Sequence, residues 1–243
     1  MNLSEVCKME KKEFRPFGKT IENPLGELIF QDNNAPILGV AHLDSVSYQE
    51  PVFVKQNKGI FIICPQLDDR LGVWTLLNLK FNCDILLTDC EETGKSTGQF
   101  FHPEKQYNWI FSFDRGGTDA VTYDYWGDKW DALIAQYYQI GWGSFSDICF
   151  MEHLGCKGVN VGIGYYKQHT LLCHASIERS VELKKRFEKF TKKYSNEFFP
   201  HESKVEYCFS CQKMIENDWL FCPYCGTEIE YKYNSLKYHY LVE

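Results

Sequence analysis

The chain has 243 residues, 44% of them hydrophobic and 24% charged, which suits one full-sized globular domain plus a small module. A net charge of −7 gives the main body no electrostatic attraction for nucleic acid. No apolar run reaches the length of a membrane span, and the opening MNLSEVCKMEKKEF lacks the apolar core of a secretory signal.

In chain order, residues 37–41 and 60–64 read as short apolar strands. Residues 70–79 carry apolar side chains at helical spacing, with Leu71, Trp74, Leu77 and Leu79 able to cover a sheet. Residues 85–87 and 109–113 read as further strands, 130–138 as a helix and 146–154 as a short helix. Residues 158–163 alternate Val159, Val161 and Ile163, the pattern of a strand. Residues 177–194 form a charged amphipathic helix with Val181, Leu183, Phe187 and Phe190 inward and the lysines of 184–193 on a solvated face. Strands alternating with helices predict an α/β domain with a mostly parallel central sheet and helices on both faces. It is expected to span residues 1–195. A linker at 196–206, a four-cysteine zinc ribbon at 207–233 and a tail at 234–243 are expected to follow.

The strand ends hold the chemistry. After the successive strands come His42-Leu43-Asp44, Asp68-Asp69-Arg70-Leu71-Gly72, Thr88-Asp89-Cys90-Glu91-Glu92-Thr93-Gly94, Asp114-Arg115-Gly116-Gly117 and His169-Thr170. Ligand sites of open α/β sheets form beyond the carboxyl ends of the strands. Imidazole and carboxylate there suit two divalent ions, which share one bridging carboxylate and take about two further ligands each. A leftover carboxylate beside a ligand can serve as general base, and Glu91-Glu92 supplies both. Asp44 can accept the second ring N–H of His42 and set its tautomer. Rivals stand close by: Asp69 for Asp68, Asp119 for Asp114, and His174 for His169.

These five motifs, in this order, resemble the di-zinc aminopeptidase and carboxypeptidase superfamily over roughly residues 25–195. The resemblance implies that His42 and Asp114 bind one zinc, that Glu92 and His169 bind the other, and that Asp68 bridges them. Glu91 is then the base, with Asp44 in support. Cobalt or manganese could stand in for zinc. Ser146-Asp147-Ile148 resembles the Ser-Asp turn that such enzymes place beside the site, where its job is positioning and not chemistry, so Ser146 and Asp147 join Arg115 as candidates on the substrate side. Arg115 could pair with a substrate carboxylate or merely neutralise the acids. Only 25 residues separate His42 from Asp68, and 54 separate Asp114 from His169. Neither gap holds the lid or dimerisation insertion of larger members, so the lidless single-domain branch is expected. Two features depart from it: Asp68-Asp69-Arg70 is nearer the lidded branch, and no acid follows His169-Thr170 closely. Hydrolysis of a peptide or acyl-amide substrate is implied, by an aminopeptidase first, then a carboxypeptidase or N-deacylase. An inactive metal-binding scaffold is the reading from another class.

Eleven cysteines complete the pattern. Cys208-x2-Cys211 and Cys222-x2-Cys225, ten residues apart, predict one structural zinc. So short a segment cannot bury enough apolar area alone, and the metal supplies its folding energy. A protein partner is expected for this module in preference to nucleic acid, because it is not clearly basic. The other seven cysteines are scattered in apolar stretches and read as reduced core thiols, which places the chain in the cytoplasm.

Overall fold

The chain opens with helix α1 (Leu3–Lys8), which starts where the Asn2 side chain accepts from Glu5 N and the Glu5 carboxylate accepts from Asn2 N. A 3-10 stretch over Lys11–Phe17 leads to the hairpin β1 (Lys19–Asn23) and β2 (Gly26–Gln31). Next come β3 (Ile37–His42), β4 (Val52–Gln56), β5 (Gly59–Ile63), α2 (Leu67–Leu77), β6 (Asp84–Thr88) and β7 (Trp109–Ser112). Then follow β8 (Ala120–Val121), α3 (Asp128–Ala135), β9 (Gly158–Val161), β10 (Tyr165–Tyr166), β11 (His174–Ser176) and α4 (Ile177–Tyr194). This computed structural model describes residues 1–57, 59–201, 206–208, 210–211, 213–215 and 221–228. The chain divides into two units, Met1–His201 and Glu202–Glu243.

The first unit is built on a seven-stranded sheet in the order β1-β2-β6-β3-β7-β9-β8. Its four inner strands, β6, β3, β7 and β9, run parallel, and the flanking strands are antiparallel. Every residue of β3, β6, β7 and β9 is buried, which is why these stretches are largely apolar on both faces. Ile37, Ala41, Ile85, Leu87, Trp109, Phe111, Val159 and Val161 face one core, shared with side chains from all four α-helices. Leu38, Val40, Leu86 and Ile110 face the other. There the cover is 3-10 turns, at Thr97–Phe100, Asp147–Phe150 and Glu152–Leu154. The single short helix expected over 146–154 is thus two 3-10 turns, closed by Gly155 in the left-handed region at φ 68°.

One expected strand of the central sheet lies elsewhere. Residues 60–64 map to β5, in a separate antiparallel sheet ordered β10-β11-β5-β4. Only Ile62 of this strand is buried, so it has one covered face and cannot serve as an inner parallel strand.

α4 packs on Trp109, whose ring meets Phe190 edge-on at 5.4 Å and whose Nε1 donates to Tyr194 O. The buried stripe is Leu183, Phe187, Phe190 and Tyr194, with Val181 only half-buried. Lys184 leaves the expected solvated face: it is buried, and its Nζ donates to Asn78 O at the end of α2. Residues 196–201, expected as linker, pack against the domain. Phe199 stacks on Trp130 at 4.8 Å, and Lys157 N donates to Phe199 O. The rest of that stretch at 202–205, the ribbon's end at 229–233 and the tail lie outside the described residues. No disulfide links the eleven cysteines, and none of the helices among the described residues is long and apolar enough to cross a membrane.

Gly39 sits mid-strand where a Cβ would come within 2.5 Å of Leu76 Cδ2 and 2.9 Å of Phe111 Cζ. Gly39→Ala is therefore expected to destabilise the domain by about 1–3 kcal/mol, since a packed core cannot absorb the added methyl. A thermal melt beside the parent protein reads this directly.

Candidate metal centre

The loops leaving β3, β6 and β7 meet the start of α2 and the loop before β11 at one end of the sheet. His42 is the last residue of β3 and is fully buried. Its Nδ1 faces the backbone carbonyl of Asp44 at 2.9 Å and the Asp44 carboxylate at 3.5 Å. The carboxylate itself accepts from Glu91 N at 3.2 Å and Glu92 N at 2.9 Å. Asp44 thus sets the His42 ring chiefly through its main chain, and its side chain holds the Glu91-Glu92 turn. That turn begins at Cys90, left-handed at φ 73°.

Asp68 lies between the two histidines. One oxygen is 3.4 Å from His42 Nε2 and the other 3.2 Å from His169 Nε2. Asp114 Oδ1 is 3.5 Å from His42 Nε2, and Glu92 Oε2 is 3.2 Å from His169 Nε2. The donors that lie close enough together to share an ion group as His42–Asp68–Glu92 and His42–Asp69–Asp114, and Asp68 also reaches His169. Glu91 Oε2 stands 4.0 Å from His42 Nε2. Regular helix starts only at Arg70, because Asp68 and Asp69 have non-helical backbone angles. Their peptide bond is cis. Asp69 is wholly buried: one oxygen accepts from Gly72 N, and the other has no partner. Gly72 is required here, since a Cβ would lie 2.0 Å from the Asp69 carboxylate. His42 and Asp114 are near enough to Asp69 for the three to hold an ion, so it stays a rival ligand beneath the cluster.

Two other rivals are engaged elsewhere. Asp119 is taken by Arg115, whose Nε and Nη2 donate to its two oxygens at 2.9 and 2.7 Å. His174 turns its Nδ1 to Leu172 O and its ring to Phe61 and Tyr166. Arg115 thus uses its Nε–Nη2 edge on Asp119, while still lining the cavity. A correction concerns Ser146 and Asp147, which are fully buried and cannot touch a substrate. Asp147 accepts from Thr88 Oγ1 at 2.8 Å and from Ser96 Oγ, the two ends of the loop carrying Glu91 and Glu92. Ser146 lies under Asp114 and hydrogen-bonds to it.

Supports from outside the motifs had no signal in spacing. Arg70 is buried whole, with Nη1 donating to Leu43 O, Nη2 to Met9 O, and its guanidinium 5.1 Å over Phe14. Lys11 pairs with Asp89 beside the Glu91 turn. Tyr165 Oη donates to Asp68 at 3.3 Å, whereas Tyr166 is exposed.

So many acids in one buried place disturb each other's protons. Burial, then the charge of Asp114, pushes Glu91 up to about 9. Burial also raises Glu92, Asp69 and Asp114. Asp68 moves the other way, because the close approach and charge of His169 and His42 outweigh its burial. Burial alone would lower His42, yet Asp114, Asp44 and Asp68 raise it well above the usual imidazole range. Asp68 likewise raises His169. A donor set of this kind fits divalent cations: five acids and two imidazoles converge, and the buried His42 Nε2 has no hydrogen-bond partner. The cluster floors a cavity of about 450 Å3, whose walls include Tyr123, Trp142, Phe145 and Tyr165.

In the second unit, β12 (Glu206–Tyr207) pairs with β13 (Met214–Ile215), with one knuckle between them and a second after. Cys208 N donates to Lys213 O and Cys222 N to Thr227 O, with Gly226 left-handed at φ 72°. The Sγ atoms of Cys208 and Cys225 are 3.5 Å apart, and those of Cys211 and Cys222 are 3.6 Å apart. Four thiolates around one zinc at about 2.3 Å stand about 3.8 Å from each other, so the cluster fits a tetrahedral ion.

Among solved structures, this chain is similar to the aminopeptidase PepT from Bacillus cereus, with a TM-score of 0.56, 10% identity, and 77% of this chain and 95% of that one covered. It is also similar to a tripeptidase from Staphylococcus aureus, with a TM-score of 0.58, 10% identity, and 80% and 97% covered. At such identity the likeness establishes the fold alone, an α/β fold with the mostly parallel central sheet expected from the sequence. No protein-family model matches the chain, and no curated protein matches it.

The raised carboxyl of Glu91 sets a pH dependence. Its proton is held in the folded, metal-free protein up to about pH 9 and is released near 4.5 on unfolding. The folded state therefore binds the extra proton in between, and stability falls as pH rises. His42, also raised, acts in the same direction. After chelation, the domain's Tm is expected to drop between pH 6 and pH 9, with a shallower slope in Glu91→Gln. Melts across that range check both.

Proposed function

We propose that this chain hydrolyses amide bonds at a peptide terminus with two divalent metal ions, acting as an aminopeptidase. The observation that carries the reading is Asp68, one carboxylate addressed by His42 on one side and His169 on the other. In this reading His42 and Asp114 hold one ion, Glu92 and His169 the second, and Asp68 both. Zinc suits the nitrogen and oxygen donors, and cobalt or manganese could replace it. Bound there, the ions supply Lewis acidity to the scissile carbonyl and to the attacking water.

The residues do the rest. Glu91 takes the proton from the attacking water and returns it to the departing amine nitrogen as the C–N bond breaks. Its place is set by Asp44, which holds its backbone N–H. Asp147 clamps Thr88 and Ser96 and so keeps the whole loop from shifting. Tyr165 restrains Asp68. A carboxypeptidase needs a cation free to read the substrate's terminal carboxylate. Arg115 is turned into Asp119, so the amino end is the better assignment. The C-terminal unit is read as a zinc ribbon whose four thiolates hold one structural ion and which docks a protein partner.

Purified protein is expected to carry about three zinc ions per chain by elemental analysis, two in the centre and one in the ribbon. Glu91→Gln should keep that content while kcat falls on the order of 10²–10⁴-fold on aminoacyl amides, the range for losing a general base. One ion per chain and no turnover after supplying zinc, cobalt or manganese would leave a scaffold reading in its place. Preferred cleavage of N-acyl amides over free amines would move the assignment to a deacylase.

A further inference from the structure

The cavity wall above the metal centre comes from a stretch that no motif marks, Gly141-Trp142-Gly143-Ser144-Phe145. Trp142 is 83% exposed, the most exposed large apolar side chain among the described residues. An indole left in water at the mouth of a cavity is an unfilled contact surface. Its main chain is anchored: Arg115 Nη2 donates to Trp142 O at 3.1 Å, and Asp119 fixes Arg115. Phe145 is anchored too, since its carbonyl accepts from Tyr123 Oη at 3.0 Å and its ring meets Phe150 edge-on at 5.3 Å. Tyr123 in turn accepts from Asn160 Nδ2, and the same amide donates to Asp114 O. The aromatic wall and the ligand Asp114 thus hang on one side chain.

No net charge enters this wall, because Arg115 and Asp119 neutralise each other. Gly116 and Gly143 line the cavity without side chains and leave room between the acidic floor and the rings. About 450 Å3 is within the range of small-ligand sites and large enough for one amino-acid residue with a bulky side chain. With an aminopeptidase, the leaving chain must run out to solvent, so the enclosed space falls to the residue that carries the scissile carbonyl.

We propose that Trp142, with Tyr123 and Phe145, forms a side-chain subsite that selects peptides with an aromatic or large aliphatic N-terminal residue. This rests on the amide-hydrolase reading above. Trp142 is the specificity-determining member, because the other two rings are partly covered by protein and only the indole awaits a partner.

The test compares kcat/KM for phenylalanine, leucine and glycine aminoacyl amides, on metal-loaded parent protein, Trp142→Ala and Trp142→Phe. The phenylalanine-to-glycine ratio is expected to fall about tenfold or more in Trp142→Ala, the scale of losing apolar contact in a pocket, and to recover largely in Trp142→Phe. A ratio is unmoved by partial misfolding, which scales all substrates alike. Turnover with the same ratio in all three proteins would overturn the subsite while leaving the hydrolase reading intact. Should no amide be cleaved, calorimetry with phenylalaninamide and glycinamide decides the matter. Tighter binding of phenylalaninamide that is lost in Trp142→Ala supports the subsite, and equal or absent binding rejects it.

Discussion

Five carboxylates and two imidazoles, His42 buried and His169 more than half exposed, meet in one crevice, an arrangement that electrostatics alone would drive apart. Asp68 holds it together by facing His42 with one oxygen and His169 with the other. It stays ionised where its neighbours Glu91, Asp69 and Asp114 are pushed towards their neutral forms. Buried acids at such density are costly unless a counter-charge is present. The raised imidazoles supply part of it, and divalent cations would supply the rest.

The scaffold around the crevice serves that constraint. Parallel strands end at nearly the same level: His42 is in register with Thr88, and Ser112 with Val40 two residues before His42. The loops that follow must hold their acids against mutual repulsion, and each has a dedicated tie. Asp44 caps the Glu91 turn from one side, Asp147 pins its two ends from beneath, and Lys11 meets Asp89 at its outer edge. Arg70, buried among these acids, joins the His42 loop to the N-terminal arm through two carbonyls. Residues 3–17 precede the stretch that resembles the peptidases, yet they close the back of the centre.

Much of this was legible in advance. Buried parallel strands need apolar residues on both faces, and residues 37–41, 85–87 and 109–113 carry them, broken only by Gly39 and Ser112. α4 was legible to the residue, from its apolar stripe. The short strands β4, β8, β10 and β11 were not, because two- to five-residue pieces with one wet face have no distinct period. Nor was β5's membership of a second sheet, since an apolar pentapeptide does not say which neighbours will pair with it. The hairpin of β1 and β2 escaped for the same reason, its positions mostly half-exposed.

The sequence by itself determined which residue types stand at the strand ends and in what order. It also determined the four thiols of the second unit, because metal chemistry demands particular donors at particular spacings. Only the tertiary structure shows which candidates of the same type already have partners. Asp119 and His174 satisfy the chemistry as well as Asp114 and His169 do, but one is paired with Arg115 and the other faces Phe61. Ser146 and Asp147 moved from the substrate's side to the support beneath, and Trp142 came from an unmarked loop to the cavity wall. Side-chain identity is local and can be read along the chain. Burial and partnership are set by residues brought together from far along it, and they appear only once the chain has folded.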